Sequence, residues 1–512
     1  MTIVGPKSPP EPQTIGDIAR VNAQRSPSGE AVVDGDRRLS WVELCERTNR
    51  LANALASELS LGRHDRIAYL GHSSLEAFEL LHAVPRLGAL FVPLNERLAV
   101  AELERIVAST EPTALVHSEA FAELAATLAG VAGVPRIGIR SPAAYEYDEL
   151  SSQGSPDDPG VSVDGGDVAS ICFTSGTTGS PKGVMMRHGA QLAFARAETE
   201  LEPILPAARH LFVRPMSVAP GHRLAAWHGL GAGATVLVPR FSAADFFRVV
   251  EEERITNVLL APTTLRMLLD DGNSGRHDIS SLRVIVYGGA PMSRELLAEV
   301  LAFFPCRILQ GYGSSEAGQA LYLSDDDHRS GRLHHNGRPV PGVELSVRGE
   351  DGTEVADGEV GELYVRSDQL AAGYWRDPAK TAAAFVGDWY RTGDLCTRTG
   401  DLHRIVGRTS DMIISGGFNI MPGEVEDVLA THVAVRDVAV YGVADRIWGE
   451  AVHAAVVLQP GAEVTADELV ALCRSKLASF KKPRTIVFLD ALPLTPAGKV
   501  DKSSLASGGP GG

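Results

Sequence analysis

FTSGTTGSPKGV, residues 173 to 184, sets three glycines among serines and threonines and brings in a lysine after a proline. Gly176, Gly179 and Gly183 let the backbone approach a ligand closely and turn its N–H groups inward. Ser175, Thr177, Thr178 and Ser180 add hydroxyl donors, and Lys182 adds a mobile cation. The stretch predicts a loop that cradles phosphate. It is not a Walker A loop, which needs G-x-x-x-x-G-K, then Ser or Thr, with a helix opening at the lysine. Here Pro181 removes a backbone donor, and the following GVMMR reads as a strand. Read alone, the stretch also fits an ordinary polar surface loop.

The surrounding chain narrows the choice. At 512 residues it is too long for one core, so two or more domains are expected. A net charge of −16 argues against nucleic-acid or anionic-membrane surfaces, which need clustered Lys and Arg. Cys45, Cys172, Cys306, Cys396 and Cys473 are scattered and odd in number, which speaks against a disulfide framework. The start, MTIVGPKSPPEPQ, is proline-rich with no charged-then-apolar leader, and no apolar run approaches the roughly 20 residues of a membrane span. A soluble, cytoplasmic protein is expected.

From Ile15 to about residue 140 helical and strand-like segments alternate: LSWVELCERTNRLANALASEL has helical spacing, RIAYLG and LFVPL read as buried strands, and LEAFELLHAVPRLG lies between them as a helix. The rhythm continues through VASICFT, TVLVP, a helix from about Ala243 to Glu253, NVLLAP and RVIVYGG. It predicts an α/β architecture with largely parallel sheets. After about Arg338, GVELSVRGEDGTEVADGEVGELYVRS breaks into short runs at D-G turns and reads as antiparallel strands. A small α+β unit follows from near Asp411, with helices from about Glu424 and around 465–477. The predicted layout is a large N-terminal domain over 1–409, of mixed βα sheets plus a β-rich subdomain, and a small mobile α+β domain over 410–512. Ser410 lies near the hinge, and residues 503–512 are expected to be disordered.

Further motifs follow in order: QGYGSSE (310–316), YRTGDL (390–395), GRTSDMI (407–413), GGFNIMPGEVE (416–426) and PAGK (496–499). With TSGTTGSPKG they make the chain resemble the adenylate-forming superfamily of acyl-CoA synthetases, peptide-synthetase adenylation domains and luciferases, from about Ile15 to Asp501. The resemblance implies a ligase that joins a carboxylic acid to ATP, releases pyrophosphate, and passes the acyl group from AMP to coenzyme A. It implies ATP (or an acyl-adenylate), Mg²⁺ and coenzyme A as ligands, with a small carboxylic acid as substrate.

The same resemblance assigns roles. Thr174, Ser175, Gly176, Thr177, Thr178, Gly179 and Lys182 would hold the β- and γ-phosphates. Glu316 matches the Mg²⁺-binding acid and Ser315 a contact to the α-phosphate. Gly289, Ala290, Gly311, Tyr312 and Gly313 match the adenine site, Tyr312 as the stacking ring, while Gly288 borders the acyl pocket. Asp394 and Arg408 match the pair at the ribose. Lys499 matches the lysine that bridges acid and α-phosphate. Gly416, Gly417 and Phe418 would line the coenzyme A tunnel after the C-terminal domain rotates about Ser410. Phe480, Lys481, Lys482 and Arg484 fit either coenzyme A contacts or a solvated charge run.

Departures from the pattern cluster on the adenylation side. The family commonly has a histidine or aromatic ring at the acyl gate, where RPMSVAPGH puts Val218. His222, four residues on, stands as a possible substitute, and Arg214 as a group that reaches the substrate carboxylate. Ser410 replaces the usual charged hinge residue. Two other readings follow: a ligase that only transfers an acyl-adenylate made by an upstream enzyme, and a non-catalytic nucleotide binder. Met216, Ser217 and Val218 supply no acid for an amino group, against a peptide-synthetase domain. The many glycines near the pocket favour a bulky or cyclic acid.

Overall fold

The computed structural model describes residues 11–174, 181–238, 241–271, 274–290, 292–333, 335–495 and 500–508. Two sheets form the large N-terminal part. One has nine strands, in the order Arg338–Pro339, Gly318–Leu323, Arg307–Ser314, Val284–Gly288, Asn257–Leu260, Arg209–Phe212, Ala234–Leu237, Glu30–Asp34 and Arg37–Ser40. Its inner pairs are parallel, and antiparallel pairs occur only towards the two edges. The other has seven strands and is parallel except where Val168–Thr174 turns back as Lys182–Arg187. Strands such as Leu90–Leu94 are buried throughout, as continuous apolar runs between helical layers must be.

Local chemistry sets the helices. Trp41–Leu59 starts on Ser40, whose hydroxyl accepts from Glu43 N while the Glu43 carboxylate accepts from Ser40 N. Ala466–Lys476 repeats the device with Thr465 and Glu468. The D-G turns after Arg338 do break the chain into antiparallel strands: Val343–Arg348, Val360–Ser367, Trp389–Thr399 and Leu402–Arg408 share a five-stranded sheet with Phe385–Val386.

A fourth sheet, built from Ile413–Ser415, Phe418–Ile420, Val435–Asp445, Gly449–Leu458 and Thr485–Phe488, has its own core of Ile413, Ile420, Val425, Leu429, Val440, Leu469 and Cys473. The tail departs from expectation, because Lys502–Ala506 is a helix started by Asp501, whose carboxylate accepts from Ser504 N. Among the described residues no helix is long and apolar enough to cross a membrane.

Candidate active site

The C-terminal end of strand Arg307–Ser314 organises the site. The flanking glycines Gly311 and Gly313 suggest a loop around Tyr312, but it lies inside this strand, opposite Leu321 and next to the parallel strand Val284–Gly288. The glycines serve closeness instead: a Cβ on Gly288 would stand 2.3 Å from the Gly311 carbonyl oxygen. No other residue lets the two backbones meet there. The Tyr312 hydroxyl donates to Asp394, whose other oxygen pairs with Arg408 Nε at 2.9 Å. Asp394 is buried, and Asp394 and Arg408 face each other across two antiparallel strands. Burial first, and then the Asp394 charge, push the Tyr312 phenol well above its ordinary range.

Further along, Arg223 reaches out of helix Ala219–Leu230 to bind the Ser314 and Ser315 carbonyls at 3.1 and 3.0 Å and that of Gln369 at 3.3 Å. It is buried, and burial lowers its pKa to about 10. This guanidinium fixes the backbone that carries Ser315 and Glu316. Glu316 accepts at 2.8 Å from the Tyr374 hydroxyl, and the Lys182 ammonium lies 5.5 Å over the Tyr374 ring. Backbone bonds seat that tyrosine: Trp375 N donates to Gly183 O at 2.7 Å and Met185 N to Gly373 O at 3.0 Å. Burial and the Glu316 charge raise the Tyr374 phenol's pKa. Thr174 and Lys182 pair at the ends of their antiparallel strands, flanking the predicted phosphate loop. Residues 175–180 and Lys499 lie outside the described residues.

Near the outer end of strand Val284–Gly288, Arg214 Nη2 donates to the Gly288 carbonyl at 3.2 Å, beside Gly289. It is half-buried, meets no carboxylate among the described residues, and has its pKa lowered by burial. It is not the water-exposed strand end that a lone arginine in an apolar run suggests. Val218 precedes helix Ala219–Leu230 in extended conformation and is partly exposed.

His222 does not stand in for a gate residue. Its ring is fully buried, with Nδ1 3.1 Å from Ser170 Oγ, Nε2 2.9 Å from the Met216 carbonyl, and its face 5.7 Å from Phe91. Burial lowers its pKa to about 4. One helical turn carries it from the helix start into the core.

Ser410 sits in the exposed turn Thr409–Asp411 and donates to Asp411 at 2.9 Å. Beyond it, Ile413–Ser415 and Phe418–Ile420 form a hairpin whose two loop residues, Gly416 and Gly417, have φ of 59° and 82°. Both left-handed torsions fit a type I′ turn, which explains paired glycines. Phe418 stacks on Phe480 at 4.3 Å. Lys481 pairs with Glu424 and Arg484 with Asp445 at 2.7 Å, so two of the cations considered for coenzyme A are engaged locally.

The groups along residues 311–316 thus bring together five of the N-terminal candidates: Tyr312, Asp394 and Arg408 at one end, Glu316 and Lys182 at the other. Sequence reasoning missed Arg223 and Tyr374. Their partners are backbone carbonyls and residues far away in sequence; the charged residue in the apolar HRLAAW was the one available signal for Arg223.

A family model described as AMP-binding enzyme matches residues 19–375, and one described as AMP-binding enzyme C-terminal domain matches residues 424–499. A feruloyl-CoA synthase from an Amycolatopsis species is 36% identical over 500 residues, covering 96% of this chain and 98% of that protein. An indoleacetate–CoA ligase from Aromatoleum aromaticum is 35% identical over 493 residues, covering 94% of this chain and 96% of its own. Among solved structures, the amide bond synthetase McbA from Marinactinospora thermotolerans superposes with a TM-score of 0.88 at 32% identity, covering 96% of this chain and 99% of that one.

Proposed function

The chain belongs to the family of AMP-binding enzymes, and from that membership we infer that it uses ATP to join a carboxylic acid to coenzyme A. It is an acid–thiol ligase. The observation that carries the reading is the polar run beside strand Arg307–Ser314. It offers a hydroxyl-accepting carboxylate, Asp394, at one end, and an acid with a nearby cation, Glu316 and Lys182, at the other. That order suits a nucleoside triphosphate laid along the strand end, ribose towards Asp394.

In the first half-reaction an acid oxygen attacks the α-phosphorus and the bond to pyrophosphate breaks. In the second, the coenzyme A sulfur attacks the acyl carbon and the bond to AMP breaks. Both bring anions together, so the protein's share is position and charge. Arg214 is proposed to hold the incoming carboxylate, since it meets no carboxylate among the described residues and stands beside Gly288 and Gly289. Lys499 is proposed to bridge that carboxylate and the α-phosphate. Gly416 and Gly417 are proposed to flank the thiol in the second step, after rotation near Ser410 of the domain spanning 410–512.

Among the described residues no cluster of three metal-ligating side chains exists. A lone Glu316 still fits Mg²⁺, which is commonly held by one or two carboxylates together with substrate phosphates and water. When bound, Mg²⁺ neutralises charge on the phosphates. Tyr374 orients the Glu316 carboxylate towards that task. The names of the two relatives support an aromatic or cyclic acid.

The test has two arms. The protein is incubated with ATP, Mg²⁺ and a panel of acids while pyrophosphate is followed, and synthetic acyl-adenylate is then supplied with coenzyme A. Turnover in both is expected. Thioester from supplied adenylate alone makes it a transfer-only enzyme dependent on an upstream adenylating partner. Amide formation with an amine, and none with coenzyme A, overturns the thiol assignment.

A further inference from the structure

We propose that the acid activated by this enzyme carries an oxygen function, a hydroxyl or a ketone, at its end remote from the carboxylate, and that Glu198 and Trp227 read it. The proposal rests on the ligase reading above and names the substrate class of that site.

Behind Gly311 lies a cavity of about 90 Å³ bordered by Glu198, Trp227, Val286, Leu309, Gln319 and Tyr322. Side chains alternate along a strand, so Val286 shares a face with Gly288, and Leu309 with Gly311. The cavity therefore lies two residues, roughly 7 Å, deeper along the two strands whose outer end meets Arg214 at the Gly288 carbonyl. Between the two, Gly288 packs on the Gly311 backbone and Gly311 on the Gln319 side chain. At Gly311 a Cβ would stand 2.7 Å from the Gln319 side-chain oxygen, the far end of a flexible side chain that occupies this position and can swing aside. A substrate held by its carboxylate at Arg214 would displace the Gln319 amide beside Gly311 and end in the cavity.

The cavity is not a plain apolar sleeve. Glu198 is 5% exposed and its Oε1 finds no hydrogen-bond partner among the described residues. Trp227 is 2% exposed and its indole N–H is likewise unpartnered. The other charged groups at the cavity, Arg307 and Glu202, already pair with each other. A hydrocarbon end would leave both buried polar atoms unsatisfied, which is costly.

The two atoms also restrict the ligand. The indole only donates, so it needs an acceptor. Burial raises the Glu198 pKa to about 8, so the carboxyl is largely protonated at neutral pH and both donates and accepts. A hydroxyl accepts from the indole and donates to the carboxyl; a ketone accepts from both. An ammonium has no lone pair for the indole N–H, which disfavours it.

The experiment compares matched acids on the wild-type enzyme: a cyclic or aromatic acid with a remote hydroxyl, with a remote ketone, with a remote amine, and with hydrogen there. The oxygenated acids are expected to exceed the plain acid by at least about tenfold in kcat/KM. Glu198→Leu and Trp227→Phe should each lower kcat/KM for the favoured acid by about 10- to 100-fold, mainly through KM, while the plain acid changes less than about threefold. Glu198→Gln, which keeps a donor and an acceptor, should recover much of the loss. Which of the hydroxyl and ketone leads identifies the oxygen.

A wild type that treats oxygenated and plain acids alike, or prefers the amine, overturns the inference while leaving the ligase reading intact. So do variants in which both acids fall together, as a merely structural role would produce. If no acid supports either half-reaction, the ligase reading fails and takes this inference with it. Because wild-type preference is decisive alone, a variant that fails to fold leaves no gap.

Discussion

Arg214 and Tyr374 show how single side chains divide the work. Arg214 has a backbone carbonyl as neighbour and no carboxylate among the described residues, so its charge is available to a substrate. Arg214→Gln should lower acid-dependent pyrophosphate release by about 10²–10³, the usual cost of losing one preorganised donor. Its melting temperature should stay within a few degrees, and equal loss with all acids and with supplied adenylate would contradict the assignment. Tyr374 acts one step back, through Glu316. Tyr374→Phe should raise the Mg²⁺ concentration needed for half-maximal rate several-fold, with the saturated rate less affected; a titration that does not move counts against it. The sequence exposed Tyr312, Glu316, Asp394 and Arg408 because each sits in a short, ordered motif. Arg223 and Tyr374 stayed hidden because their partners are carbonyls and residues tens to hundreds of positions away, which only folding brings near. His222 misled for a related reason: four residues of separation mean one thing in a loop and another in a helix, where they turn a side chain from the mouth of a pocket into the core.

At the level of elements, helices and strands followed their periodicity closely, as in Trp41–Leu59, Leu75–Arg86 and Val284–Gly288. Glycines are poor loop markers in this chain. Strand Arg307–Ser314 runs through Gly311 and Gly313 because its neighbours approach too closely for side chains, not because the chain turns. The Gly416–Gly417 pair is the opposite case, since both residues have positive φ in a two-residue turn. A β-branched residue is strained in that region. Gly417→Val should therefore reduce thioester formation from supplied adenylate by at least about tenfold, while pyrophosphate release stays within about threefold. An equal effect on both half-reactions would show that the hairpin serves adenylation too.

For the molecule as a whole, the exposed turn Thr409–Asp411 separates the antiparallel sheet ending at Arg408 from a sheet with its own core. Brief proteolysis should cut near Ser410 and leave a fragment ending close to Arg408, found by mass spectrometry; resistance at that point would place the boundary elsewhere. Acid sensitivity should also be global. Burial lowers the pKa of His82, His188 and His222 to about 4 and that of His210 to about 3. These rings stay neutral in the fold, whereas in the unfolded chain they protonate below about 6.5. Their contribution is full above pH 6.5 and is lost as pH falls towards 4, so the melting temperature should drop steeply across that window, and a flat profile would refute the account. One consequence concerns anyone re-engineering the pocket. Val218 and Arg223 stand at opposite ends of a short lever, the first turn and a half of one helix, with the proposed acyl mouth at one end and the grip on Ser314 and Ser315 at the other. Carving the mouth wider tilts the lever, so broader substrate scope and slower phosphate chemistry should arrive together, and second-site repairs should be sought around residues 314–316 rather than in the pocket wall.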